Sequence, residues 1–460
     1  MKKLLISLAV ASITLGCNAT SEVTKQPVTK TPITNVIMIV ADGMGPAFPT
    51  AYRYYADNPS TPNIEQTVFD KHLVGMSSTY PAQESGRVTD SAAGATALAA
   101  GVKTYNSAIS VDVNKQPVET VLQRAKALGK KTGVVVTSQV NHATPAAYIT
   151  HNESRKNYNA IADSYIDNGI NVDVLFGGGW QYFIRDDRNL VNEFKQAGFD
   201  YIDNFELLSQ TNTNNKLLGL FADVGLPPAL DNGGGKLLEM TKTALSHLEN
   251  PNGFFMLVEA SQVDWAGHSN DINSAMAEMH DLAQTLAYLE SYVDSNPNTQ
   301  VILTADHSTG GLTLAAKGEY RWSPEMLREM KTSTSAAAQV LADSEISKTS
   351  LSAALANITL EDEDVTNVIE AKEKALSKLQ AYLQLTPEQQ KKQRKPSVKY
   401  ALYRALNSII DRKTNTGWTT SGHTAVDVPV YAIGAQSAIF EGLIDNTDIA
   451  KGVFTLIENN

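Results

Sequence analysis

The sequence predicts an α/β protein, a largely parallel sheet sandwiched between helices, with a helical insertion late in the chain. Three observations carry this reading. Short apolar, β-branched runs recur at residues 36–40, 133–137, 172–176, 254–258, 301–304 and 428–433. Helical patterns separate most of them, for example over 118–128 and 272–292, as parallel strands covered on both faces require. Residues 318–416 differ in character, because their apolar residues recur at helical spacing.

From the start of the chain, Met1-Lys2-Lys3 leads through an apolar stretch at 4–15 to Gly16-Cys17-Asn18-Ala19. A basic start and a short apolar middle make residues 1–19 an export signal, too short for a stable membrane span. Cys17 is the single cysteine of the chain. It is either the acylated residue of a lipoprotein signal or lost with the signal, and no intramolecular disulfide can form. Residues 20–34, rich in Thr, Ser, Lys and Pro, read as a flexible tether, with the ordered core starting at Asn35. A periplasmic or secreted protein, with a lipid anchor if Cys17 is acylated, is the expected product.

The chain has 460 residues, 42% hydrophobic and 19% charged, enough for one large core or two moderate ones. Its formal charge of −11 becomes about −13 without Lys2 and Lys3. The one basic tract, 391–395, lies in a helical segment of mixed charge. Nucleic acid is therefore excluded as a main partner, and an anionic substrate would need bound cations for its local positive charge.

The candidate reactive residues sit where the apolar runs end. The run at 36–40 delivers Asp42-Gly43, a hard carboxylate ligand followed by a residue that lets something approach the backbone. At Thr89-Asp90-Ser91, an Ala-rich helix begins, so unpaired N–H groups and the positive end of the helix dipole face the Ser91 hydroxyl. Simple capping is the alternative reading for both. The run at 254–258 ends in Glu259, and Asp264 and His268 follow four residues apart, on one face of a helical turn. Asp306-His307 ends the run at 301–304 and offers the mixed oxygen and nitrogen ligands that zinc accepts. His423 precedes the run at 428–433. Asp42, Asp264, His268, Asp306, His307 and His423 together would satisfy two divalent ions beside a poised serine, the arrangement that clamps attacking and leaving oxygens in phosphoryl transfer.

Glycines 177–179 and 233–235 lack the Lys-Ser/Thr ending of a phosphate-cradling loop and read as turns. His72, His151, His247 and His280 read as structural or surface residues. In the insertion, Ser323-Pro324-Glu325 is a helix start with Pro at its first position. Val365, Val368, Ile369, Leu376, Leu379 and Leu383 form a stripe to be buried on other helices, the core or a second subunit.

Over residues 35–314 and 417 to about 434, the chain resembles the alkaline phosphatase family. The serine signature is met throughout 88–96, and the segments ending in Glu259, His268, His307 and His423 are similar too. The resemblance implies one zinc held by Asp264, His268 and His423, and a second held by Asp42, Asp306 and His307 next to Ser91. It implies magnesium at Asp42, Thr144 and Glu259, and a phosphate-binding Arg155. His142 and Trp265, also expected at the substrate, stand where the best-known bacterial pattern has an acid and a lysine, which leaves the third metal open.

The implied reaction hydrolyses small phosphate monoesters in two displacements through a phosphoserine at Ser91. Residues 35–317 and 417–460 would be catalytic core and 318–416 an insertion at the active-site rim, and a homodimer is expected because the family is commonly dimeric. A phosphodiesterase or sulfatase on the same fold is the nearest rival, and a non-catalytic metal-binding lipoprotein is the rival of another class. Sulfatases need a modifiable Cys or Ser in their own motif, and diesterases usually present threonine.

Overall fold

The computed structural model describes residues 32–458, so the expected export signal, Cys17 and most of the expected tether lie outside the described residues. Ile33 is already buried and the Thr34 N–H donates to Asn298 O at 2.9 Å, so folded structure begins slightly ahead of Asn35.

Strands β1 (Asn35–Val40), β2 (Leu73–Ser78), β3 (Lys131–Gln139), β4 (Val174–Gly178) and β5 (Phe199–Ile202) come first in the chain. Strands β6 (Lys216–Leu220), β7 (Phe254–Glu259) and β8 (Thr299–Thr304) follow. The short β9 (Ser308–Thr309), β10 (Leu312–Leu314), β11 (Thr416–Trp418) and β12 (His423–Thr424) flank the insertion, and β13 (Val428–Ile433) and β14 (Gly442–Asp445) close the series. Ten of these form one sheet in the order β14-β2-β13-β8-β1-β7-β3-β4-β6-β5. All neighbours are parallel except β13, which runs antiparallel to both β2 and β8.

Alternation along β1 explains the layering. Ile37 and Ile39 pack on one face with Leu237 and Met240 of the helix Lys236–Leu248 and with Met276 and Leu282 of the helix Ile272–Ser295. Val36, Met38 and Val40 face the other way, against Leu98, Val121, Ile161 and Val453 from four further helices. A strand buried on both faces needs apolar residues at every position, which is why these runs are continuous rather than alternating.

Two local details differ from the expected ones. β4 includes Gly177 and Gly178, which pair with Leu220 and Gln139 instead of forming a loop. Pro324 caps the helix Glu325–Glu329 from the position before its first turn.

Between β10 and β11 lie six helices, of which Asp362–Leu383 and Val398–Thr414 are the long ones. Leu402, Leu406 and Ile410 of the latter join the Ile37 side of the core. Along Asp362–Leu383 the apolar stripe is only half covered: Val368 is buried, whereas Leu376 is 39% and Leu383 57% exposed.

Glu278, on the helix Ile272–Ser295, is buried and accepts a hydrogen bond from the Ala229 N–H at 2.7 Å. Burial, reinforced by the nearby Asp281, Asp231 and Asp271 carboxylates, pushes it up to about 8. The folded state therefore holds a proton that the unfolded chain releases near pH 4.5, and stability falls as pH rises through about 8. Glu278→Gln keeps the acceptor and removes the ionisation. It should raise Tm at pH 9 by roughly 2 °C or more and change it little at pH 5, read by thermal melts at both pH values.

Candidate metal centre and active site

β7, β1 and β8 are adjacent and parallel in the middle of the sheet, so their carboxyl ends open on one edge. In open α/β sheets that edge is where ligands bind. Asp42 follows β1, Glu259 ends β7, and Asp306 and His307 follow β8, all buried. Gly43 has φ +75°, and a Cβ there would lie 2.8 Å from Asp264 Oδ1. What approaches the backbone at this glycine is the next carboxylate of the cluster.

Asp264 and His268 lie on the helix Gln262–His268, with Oδ2 and Nε2 3.4 Å apart. His423 arrives from the other end of the chain because β12 pairs antiparallel with β9, directly after His307. The His307 and His423 rings stack with centroids 3.6 Å apart.

Hydrogen bonds fix which nitrogens carry protons. His268 Nδ1 faces Ser421 O at 2.6 Å and His423 Nδ1 faces Thr89 O at 2.8 Å. A carbonyl oxygen only accepts, so both Nδ1 atoms carry hydrogen, and a neutral imidazole held this way presents its Nε2 lone pair. Those two Nε2 atoms are 3.1 Å apart. Two lone pairs at that distance repel unless a positive centre lies between them, and burial lowers the proton affinity of His423.

His307 is bound in the same way, its Nδ1 3.2 Å from Thr309 Oγ1, which donates to Asp264 Oδ1 at 2.6 Å. Burial, then the neighbouring His423 and His268, holds His307 well below its ordinary value, so it is neutral.

The carboxylates show the complementary demand. Both oxygens of Asp42, Oδ2 of Asp306, Oε1 of Glu259 and the Thr144 hydroxyl are buried without a hydrogen-bond partner. Burial raises Asp42 well above the carboxylate range and takes Asp306 to about 8 and Glu259 to about 7, with neighbouring carboxylates adding to the first two. Orphaned buried oxygens and facing imidazole lone pairs fit bound cations and little else. Among the described residues three groups have ligand atoms within 4.8 Å of one another: Asp264 with His268 and His423, Asp42 with Asp306 and His307, and Asp42 with His142 and Glu259.

Ser91 is the first residue of the helix Ser91–Ala100, and the Asp90 carboxylate caps it by accepting from the Ala93 N–H. The cap is thus made by Asp90, which leaves the Ser91 hydroxyl outside it. Gly94 lets this helix sit against the segment that follows β8, since a Cβ there would be 2.9 Å from Asp306 O. The Ser91 hydroxyl consequently lies 3.2 Å from His307 Nε2.

Arg155 donates from NH1 to Asp90 Oδ2 at 3.2 Å and from NH2 to His142 Nε2 at 3.1 Å. The second bond decides the state of His142. Its Nε2 lone pair is used and its Nδ1 carries the hydrogen, so although His142 lies within reach of Asp42 and Glu259 it offers no free lone pair. Burial, then the charge of Arg155, holds it neutral, down to about 3. Thr144, on the helix Ala143–Ile149, keeps a free hydroxyl oxygen at the same place. Trp265 stands edge-on to His142 with ring centroids 6.1 Å apart.

All twelve candidate residues are thereby brought to one sheet edge. Thr309, Ser138 and Ser261 carry no signal in the sequence, and Asp90, readable there as a cap, also binds Arg155. Ser138 and Ser261 both donate to Glu259 Oε2, at 3.1 and 2.6 Å, and turn its other oxygen toward the cluster. The four remaining histidines have structural partners: His72 with Glu290, His151 with Ser110 O, His247 with Asn215 O and His280 with Tyr52.

The family model described as alkaline phosphatase matches residues 33–458. Alkaline phosphatase 3 of Bacillus subtilis (strain 168) is 42% identical over 473 residues, covering 100% of this chain and 98% of that protein. The crystal structure of a cold-active alkaline phosphatase from a psychrophilic Shewanella sp. aligns with TM-score 0.83 and 44% identity, covering 92% of this chain and 99% of that one. Thermus thermophilus alkaline phosphatase shares the fold, with TM-score 0.76 at 24% identity. With this match across the described residues and a cation-demanding edge beside a helix-capped serine, the chain belongs to the alkaline phosphatase family of phosphoric monoester hydrolases.

Proposed function

We propose that the protein hydrolyses phosphate monoesters through a phosphoserine at Ser91, with two zinc ions and one magnesium ion at the β7-β1-β8 edge. Asp264, His268 and His423 would hold one zinc, and Asp42, Asp306 and His307 the second. Asp42, Thr144 and Glu259 present an all-oxygen set suited to magnesium. When bound, these ions supply Lewis acidity that activates the attacking oxygen and stabilises the leaving one.

The chain's own residues do the rest. Ser91 Oγ forms a bond to phosphorus as the ester P–O bond breaks, and the unpaired N–H groups of its helix stabilise the added phosphate charge. Water then displaces Ser91 and releases inorganic phosphate. Asp90 and His142 hold the Arg155 guanidinium in one orientation, leaving further N–H donors for phosphate oxygens. The observation that carries the reading is the Ser91 hydroxyl 3.2 Å from His307 Nε2, at the edge of the unpartnered carboxylates.

The test compares an aryl phosphate with its diester and sulfate analogues, with and without chelator, and identifies the residue labelled by phosphate in acid-quenched enzyme. Monoester preference and label on Ser91 are expected; a preferred diester, or label elsewhere, overturns the reading. Arg155→Ala should weaken inhibition by inorganic phosphate on the order of 10-fold or more, as loss of a charge-assisted bidentate contact would. It should cost monoester turnover more than diester turnover, because a diester lacks one of the free oxygens. Steady-state kinetics on both substrates check this.

The proposal also includes export directed by residues 1–19, anchoring if Cys17 is acylated, and a homodimer. These rest on the N-terminal sequence and the family resemblance. Among the described residues no helix is long and apolar enough to cross a membrane.

A further inference from the structure

We propose that Arg404, on the insertion helix Val398–Thr414, is a positioning residue for the metal-binding face of His268, acting through Asn270 and the backbone at Thr420 and Ser421. The inference rests on the assignment of one zinc to Asp264, His268 and His423.

The helix that carries Asp264 and His268 ends at His268, and the two residues after it are gripped from the insertion. Arg404 donates from NH1 to Ser269 O and from NH2 to Asn270 Oδ1 at 2.9 Å. Asn407, one turn further along the same helix, donates to Ser269 O at 3.2 Å. Asn270 has φ +48°, a left-handed conformation that asparagine tolerates better than most residues. That conformation lets its amide act in both directions: Oδ1 accepts from Arg404 while Nδ2 donates to Thr420 O at 2.8 Å.

Thr420 is exposed and precedes Ser421, whose carbonyl accepts from His268 Nδ1 at 2.6 Å. Two residues further on stands His423. The Arg404–Asn270 pair therefore joins the loop after one zinc histidine to the loop before the other, and it steadies the carbonyl that decides the tautomer of His268. Asp271 secures the same corner by accepting from Ser274, Thr334 and Tyr403, the last two belonging to the insertion. A segment with no metal-ligating cluster of its own thus reaches the ligand set through hydrogen bonds, and partners of this kind commonly set metal affinity.

The experiment measures zinc affinity of the full-length enzyme by equilibrium competition with a chromophoric chelator, alongside thermal melts. Arg404→Ala should weaken one zinc by on the order of 10–100-fold and leave the other unchanged. Asn270→Asp keeps the left-handed backbone and the acceptor for Arg404 but removes the donor to Thr420, and it should weaken the same zinc. The double variant should be no weaker than the worse single one, since both act on one path. Arg404→Lys should restore part of the affinity. Lys372→Ala, which breaks contacts to Leu341 O and Ser344 O inside the insertion, should change Tm without changing zinc affinity.

Zinc affinity of Arg404→Ala equal to that of Lys372→Ala overturns the proposal, as does additivity in the double variant. Should Arg404→Ala fail to fold, unchanged affinity in Asn270→Asp overturns it instead. His268→Ala separates this failure from that of the underlying assignment. If His268→Ala loses no zinc, the assignment is wrong; if it loses one while Arg404→Ala retains full affinity, only the role of Arg404 is wrong.

Discussion

Replacing Ser91 by alanine lowers kcat by on the order of 10³-fold or more while the protein keeps its metals and its fold. The expectation follows from how little else the hydroxyl does. Its recorded partner is His307 Nε2 at 3.2 Å, whose other nitrogen is held independently by Thr309. The helix start is capped by Asp90, so the local fold does not depend on residue 91. Alanine is also the best helix former for the first turn. The change therefore removes the covalent route and little besides, and residual turnover reports direct attack by water in the same electrostatic surroundings. Steady-state kinetics with metal analysis and a thermal melt check it. Wild-type kcat in a metal-replete Ser91→Ala protein rules out the phosphoserine.

Exhaustive chelation is expected to reduce turnover to background, with zinc restoring most of it and magnesium adding a further increment. Stability should fall as well, by a Tm shift of roughly 10 °C or more, because ligands that bind only the folded state contribute directly to its stability. The physical cause lies in the orphaned groups. Stripped of cations, Asp42, Asp306 and Glu259 stand buried with unpartnered oxygens, and the His268 and His423 lone pairs face one another at 3.1 Å. Paired activity assays and melts on chelated and reconstituted protein supply the measurement. Chelated protein with full activity contradicts the mechanism, and one with unchanged Tm contradicts this account of the edge.

Much of this edge was legible because the central strands are buried on both faces. Continuous apolar runs announce such strands, and in a parallel sheet their carboxyl ends meet, so Asp42, Glu259, Asp306 and His307 could be placed together from spacing alone. The outer strands were harder to see. β2 and β14 are largely exposed or half-buried, and β5 and β6 are short, so neither continuous hydrophobicity nor clean alternation marks them. The residues that orient the ligands left no trace either. Ser138 and Thr309 reach Glu259 and Asp264 across long stretches of sequence, while Ser261 and Thr309 bond Glu259 and His307 two residues away, and a hydroxyl residue in either role looks like any other. The stripe on Asp362–Leu383 was readable as a period, but how far it would be covered depends on where the rest of the insertion ends.

The antiparallel strand β13, lodged between β2 and β8, has a consequence for how the molecule is made. His423 is carried in just ahead of this strand, after the whole insertion has been threaded. A chain emerging from its amino end assembles β1, β3, β7 and β8 with most of the acidic groups in place, yet lacks the imidazole that closes the first metal cluster. On the proposed ligand assignment, metal capture of full strength would wait until the late part of the polypeptide has inserted between strands made much earlier. The centre would then act as a checkpoint on completeness: a protein nicked or stalled before β13 would lack the His423 ligand, forgo the stabilisation that bound metal contributes, and be more open to proteolysis than the finished chain.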